Sequence, residues 1–304
     1  MEELNNLLAR YHDTWTEAEI PALAEELVTL INRVPKTKNY LEAWIKANGS
    51  DWLKNKATGL AAILEVSARY PLSVGCFFAE VLLCSEAPDL ITLITVQRIR
   101  LLNLNRGLRK RLYGILRKSI SVWLNESKLD IATQAIISLP YVADGKATDW
   151  LCETITDADP KLANAACLGV LDWACGCIRG VRMDPENSNK LYGAILSRLN
   201  KEKEGNSPNI NRGEYDTLFA TLHWVLGAVV VDVTKINEVC DIFVSAFKNP
   251  RDVEDAASVR SSRILLKRFR ENFDLRLRSA FERDQQTNYG RMRECILATE
   301  YKGV

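Results

Sequence analysis

The chain has 304 residues, of which 47% are hydrophobic and 26% charged, with 15 Gly and 9 Pro. This is the balance of a soluble globular protein and excludes collagen-like and low-complexity chains. The 40 basic and 39 acidic side chains leave a formal net charge of +1, so no global field draws the molecule to nucleic acid or to a membrane.

Helical spacing of apolar residues runs from end to end. Leu4, Leu7, Leu8 and Tyr11 mark a first helix. A second is expected to open near Pro21 and run to about Arg33, with Thr16 and Glu19 as a capping box just upstream. Asn39 is expected to cap a short helix carrying Leu41, Trp44 and Ile45. Gly49 is expected to end it, with a new helix starting at Ser50 or Asp51. Residues 72–85, with Phe77, Phe78, Val81, Leu82 and Leu83, are apolar all round and predict an inner helix buried on several sides. Pro88-Asp89 opens the next helix, and a polar break at Asn103-Leu104-Asn105 precedes a basic helix that closes at Trp123-Leu124.

The plan of the chain shows most clearly between Leu129 and Ala174. The run from Leu129 to Leu139 matches the run from Leu162 when displaced by 31 positions: Ile131 falls on Leu162, Ala132 on Ala163, Ala135 on Ala166 and Ile137 on Leu168. Large and small apolar residues at one helical phase are the mark of a stacked helical repeat. Asp159-Pro160 is the clearest helix start, because Asp accepts from free backbone N–H groups and Pro has none to leave unpaired. Beyond Met183 to Ser188, expected as a loop, Leu191, Ile195 and Leu199 mark a helix ending at Glu204. Residues 205–213, rich in Asn, Ser, Gly and Pro, are the expected boundary between a first part, 1–204, and a continuous C-terminal part, 213–304. Val229 to Val233 reads by propensity as a strand, but its helical neighbours make it a helix end or connector. Further helices follow through Phe243, Leu265, Phe281 and Leu297, broken at Asn249-Pro250.

The turn Asp157-Ala158-Asp159-Pro160 followed by Leu162, Ala163, Ala166 and Leu168 resembles the HEAT-like helical repeats, as does the pair Val259-Arg260. Arg is missing at Ala163, where the family pattern would place it, and the unit at 21–70 does not align. The resemblance implies an all-α protein, an α-solenoid of stacked antiparallel helix pairs that is irregular at its N-terminus and binds partners along a concave face.

Local charge singles out the candidate site. Residues 1–90 carry 13 acidic and 8 basic groups, whereas residues 91–125 carry eight basic groups and no acidic one. Arg106, Arg109, Lys110 and Arg117 fall within a sector of about 100° on one helix, with Arg98 and Arg100 just before it. No acid lies at i±4 to neutralise them. Such a stripe suits an acidic protein face or phosphate oxygens; the plain alternative is a solvated face neutralised by neighbouring helices. Arg260, Arg263 and Lys267 belong to a second basic run, which a solenoid places on the same surface.

Other chemistry is sparse. Cys76, Cys84, Cys167 and Cys240 read as reduced core filler, and Cys175-Gly176-Cys177 lacks the C-x₂-C spacing of a zinc site, so no metal or cofactor is expected. The two histidines, His12 and His223, accompany no nucleophile motif, and P-loop and dinucleotide fingerprints are absent. Trp150 beside Asp149 and Trp173 beside Asp172 are similar in residue type to the aromatic and acidic residues of HEAT-like DNA glycosylases, though core packing explains them more simply. The start Met1-Glu2-Glu3-Leu4 does not resemble a secretory leader, and no apolar run is long enough to span a bilayer. The expected function is therefore a non-enzymatic scaffold or adaptor in the cytoplasm that binds an acidic protein partner through a basic groove. The alternative is a nucleic-acid-binding protein, cytoplasmic or nuclear, with base-excision activity.

Overall fold

A computed structural model describes residues 2–9, 16–143, 145–177, 183–204, 212–246 and 257–298. Among them it holds helices and no strand. None of these helices is long and apolar enough to cross a membrane. The chain forms two compact units, Met1–Asp144 and Gly145–Val304.

The first unit contains α1 (Glu2–Ala9), α2 (Ile20–Arg33), α3 (Thr37–Asn55), α4 (Ala57–Glu65), α5 (Gly75–Leu83), α6 (Asp89–Arg98), α7 (Arg106–Asn125), α8 (Leu129–Ser138) and the single turn α9 (Pro140–Ala143). From α2 onward each helix packs on the next but one. α2, α4, α6 and α8 form one row, and α3, α5, α7 and α9 the other. The rows meet through α3 on α4, α5 on α6 and α7 on α8. Leu27, Leu41, Leu60, Ile63, Phe78 and Leu112 are buried between them. Thr16 donates its backbone N–H to Glu19 Oε2 at 2.6 Å, the Glu half of the expected capping box.

Gly49 does not end a helix. α3 runs through it to Asn55, and a Cβ there would lie 2.7 Å from the Phe77 ring. The glycine makes room for α5, which is a packing role and leaves Ser50 and Asp51 in mid-helix rather than at a start. α5 is likewise not enclosed on all sides. Phe77, Phe78 and Val81 are buried, while Leu83 is 62% exposed.

The second unit contains α10 (Thr148–Asp157), α11 (Pro160–Ala174), α12 (Pro185–Glu204), α13 (Arg212–Val229), α14 (Ile236–Ala246), α15 (Ala257–Phe269), α16 (Glu271–Arg283) and α17 (Tyr289–Leu297). α11 packs on α13, α13 on α15 and α15 on α17; α10 packs on α12 and α14 on α16. α12 and α13, on either side of the expected boundary at 205–213, pack against each other; residues 205–211 of that stretch lie outside the described residues, as do His12, Tyr11 and Asn249-Pro250. α12 starts at Pro185, so the expected loop from Met183 is shorter. Val229 is the last residue of α13 and Val230 is buried beyond it, a helix end and connector as its neighbours implied.

Small residues set the closest approaches. Ala132 and Ala135 of α8 and Ala163 and Ala166 of α11, matched in sequence, are all fully buried. Gly227 of α13 faces Ser261 of α15 so closely that a Cβ would lie 2.8 Å from the serine Cβ. The Ser261 hydroxyl donates to the Trp224 carbonyl at 2.6 Å, in place of an apolar contact. Asp159 caps α11 by accepting from Lys161 N at 2.9 Å and Leu162 N at 3.2 Å, a contribution of about 1 kcal/mol. The spacing of 31 is not kept throughout. Bonds between a helix and the next but one span 30 positions from Ser50 to Glu80 and 46 from Tyr192 to Glu238, because the helices differ in length.

Candidate functional site

Asn105 starts α7, its side chain accepting from Leu108 N at 2.9 Å. The helix buries Leu112, Leu116, Ile120 and Trp123 against its neighbours. This apolar stripe turns the opposite face outward and fixes where the cations point. Arg106, Lys110, Arg111 and Lys118 are exposed, whereas Arg109 and Arg117 are half-buried. The outward face is thus rotated from the sector expected in sequence. It includes Arg111 and Lys118, and it is centred on Gly107, Gly114 and Ser121, spaced by seven.

The four exposed cations engage in no ion pair or hydrogen bond through their side chains among the described residues. Other candidate residues are occupied. Arg98 pairs with Glu65, and Arg100 Nε donates to the Gln97 carbonyl at 3.3 Å. Arg109 and Arg117 have partners of their own.

The outward face of α7 costs the fold stability. Its first turn holds cations and no acid, which opposes the positive end of the helix dipole. Arg106 and Lys110 are like charges at i,i+4, unfavourable by a few tenths of a kcal/mol. Each mid-helix glycine costs roughly 1 kcal/mol relative to alanine, and neither is needed for packing. A Cβ at Gly114 would meet nothing within 4 Å, and one at Gly107 only the Asn105 side-chain oxygen at 3.6 Å.

An open groove of about 600 Å³ lies beside this face. It is lined by Lys46 of α3, Cys76, Phe77, Glu80 and Leu83 of α5, and Arg111 of α7. Glu80 accepts from the Ser50 hydroxyl at 2.5 Å. Lys46, like Arg111, has no ion-pair or hydrogen-bond partner for its side chain among the described residues. The lining thus carries two cations, the Glu80 carboxylate and the exposed apolar side chain of Leu83. The chain matches no family model, and no curated protein or solved structure matches it.

The second basic run has a different use. Arg263 donates through Nε to the Ile296 carbonyl at 3.2 Å and through a terminal nitrogen to the Cys295 carbonyl at 2.7 Å, closing the end of α17. Arg268 donates to the Ala228 carbonyl at 3.0 Å and to the Val230 carbonyl, closing the end of α13. Desolvation lowers its pKa. Arg198, 4% exposed on α12, reaches the Ile155, Thr156 and Ala158 carbonyls at 3.1, 3.2 and 2.8 Å and closes α10. Three arginines therefore serve as C-terminal caps, supplying donors to the carbonyls that a helix end leaves open. Arg260 lies 5.0 Å from the Trp224 ring centroid as a cation–π partner, and Lys267 is exposed.

The remaining candidates fall into structural positions. Cys167 and Cys240 are core filler as expected, with burial pushing each thiol up to about 12. Cys76 is exposed and Cys84 half-buried, because α5 shows its outer side to solvent. Cys175 and Cys177 are exposed, and no cluster of three or more His, Cys, Asp or Glu with metal-binding arrangement occurs among the described residues. Trp173 is 2% exposed and presents no face for stacking. Asp149 is bound to Lys190 at 3.1 Å. His223 is buried, its Nδ1 2.9 Å from the Phe219 carbonyl.

Proposed function

We propose that this chain is a helical-repeat adaptor, an α-solenoid akin to the HEAT-like proteins, and that it binds an acidic protein surface through the outward face of α7. The helix-on-next-but-one packing within each unit supports the repeat reading. The observation that carries the binding reading is the set of four cations, Arg106, Lys110, Arg111 and Lys118, held unpaired on a helix that loses stability by displaying them. A patch of one sign without internal counter-charges attracts an oppositely charged partner and gives up much of that attraction to salt.

The test uses fluorescent poly-L-glutamate and a DNA duplex of equal total charge, titrated with the full chain over a series of salt concentrations. The proposal expects poly-L-glutamate to bind, binding to weaken as salt rises, and the variant R106E/K110E/R111E/K118E to lose it with its helical circular dichroism intact. Binding of the duplex alone, or poly-L-glutamate binding that the variant retains, overturns the proposal.

A further inference from the structure

We infer that the occupant of this face is an acidic amphipathic helix, lying along α7 with its apolar side in the groove beside it. The inference rests on the proposed binding of an acidic surface and names the shape that surface takes.

Three features of the site select a helix over an extended acidic chain or a phosphate backbone. The first is the groove itself. Leu83, 62% exposed, offers apolar surface next to Arg111. A phosphate backbone has nothing apolar to place there, whereas an amphipathic helix presents apolar residues at i, i+3, i+4 and i+7. The second is charge complementarity on both flanks. Arg106 and Lys110 stand on one side of the outward face and Arg111 and Lys118 on the other, with Lys46 across the groove. This matches a partner helix with carboxylates on both borders of its apolar stripe, the arrangement that fixes pairing in helix–helix contacts. The third is relief along the centre of the face. Gly107, Gly114 and Ser121 recur every seven residues, the repeat at which two helices crossing at a shallow angle keep the same edges in contact. With no Cβ at two of the three positions, a partner helix can approach closely while the flanking cations reach around it. α7 is 20 residues long, so the contact extends over nearly three heptads.

The substitution Gly114→Gln separates this geometry from charge alone. Glutamine keeps the net charge, suits a helix better than glycine, and meets no atom of the chain within 4 Å at its Cβ. It therefore raises thermal stability and obstructs only an incoming partner. Leu83→Ser removes the exposed apolar contact without opening the core.

Two probes of equal composition are titrated with the full chain: a peptide of about three heptads with Leu and Ala on one face and Glu on both flanks, and an isomer with the order of residues scrambled so that no apolar face forms. The helical peptide is expected to bind at least about tenfold more tightly than the isomer. Gly114→Gln and Leu83→Ser are each expected to weaken it by roughly tenfold while leaving the isomer unaffected. Equal binding of the two peptides overturns the helix inference and leaves the acidic-surface proposal standing. A preference that neither substitution reduces places the helix elsewhere and overturns the inference too. Binding of neither peptide overturns both.

Discussion

Removing the guanidinium of Arg198 tests how much stability the arginine caps supply. Arg198 is buried to 4% exposure and donates to three carbonyls at the end of α10, at 2.8 to 3.2 Å. Arg198→Met keeps the aliphatic stem and deletes the donors. Three acceptors share one nitrogen, so two charge-assisted bonds are a fair equivalent. At about 1.5–3 kcal/mol each they amount to roughly 3–6 kcal/mol. Part of that returns as water reaches the Thr156 and Ala158 carbonyls at the partly open side, which leaves a net loss of about 3–4 kcal/mol. For a unit of this size, each kcal/mol lowers Tm by about 2–4 °C. The comparison is Arg278→Met, which breaks an ion pair of 2.9 Å whose side chains are both 63% exposed. That loss is expected to stay below about 0.5 kcal/mol. Urea unfolding followed by helical circular dichroism measures both. Arg198→Lys, with a charge but no fork, should fall between Met and the parent. A loss for Arg198→Met no larger than that for Arg278→Met would refute the capping argument.

The remaining expectations concern packing, thiols and pH. Gly227→Ala places a Cβ 2.8 Å from Ser261 and should destabilise by about 1–3 kcal/mol, whereas Gly114→Ala should stabilise by up to roughly 1 kcal/mol; thermal melts of the two variants must move in opposite directions. Maleimide labelling near pH 8, read by mass spectrometry, should modify exposed Cys76 and Cys177 quickly and buried Cys167 and Cys240 only after unfolding, since burial holds the last two thiols protonated. The Glu19 carboxyl lies below its ordinary pKa, chiefly through the backbone N–H of Thr16 and then its hydroxyl. A lowered folded-state value gives stability that is present above the ordinary pKa and is lost as pH falls through the folded one. Glu19→Gln should therefore flatten the acid side of the stability profile of the first unit and leave the alkaline side unchanged. A profile that keeps its slope would remove Glu19 as the source.

Several local signals were legible in the sequence because one segment supplies all the partners, although Asn39, expected as a cap, lies inside α3. Asp159 before Pro160 and Thr16 with Glu19 each satisfy backbone groups within a few residues, so position along the chain was enough to find them; Asn105, expected only as part of a polar break, caps α7 in the same way. The helical phase of apolar residues likewise pointed to an all-helical protein, as the described residues are. Gly49 and Gly114 show where that reasoning ends. Both are mid-helix glycines, but one admits the Phe77 ring and the other faces open space, a difference that depends on residues far away in the chain. The basic runs divide in the same way. Sequence charge alone treats Arg109, Arg263 and Lys110 alike, and only packing shows that Arg263 is taken up by the carbonyls of α17 while Lys110 is left unpaired. Periodicity and caps are properties of neighbouring residues and are written in their order. Whether a charge is spent inside the molecule depends on which helix ends lie beside it, and that is decided when the helices pack.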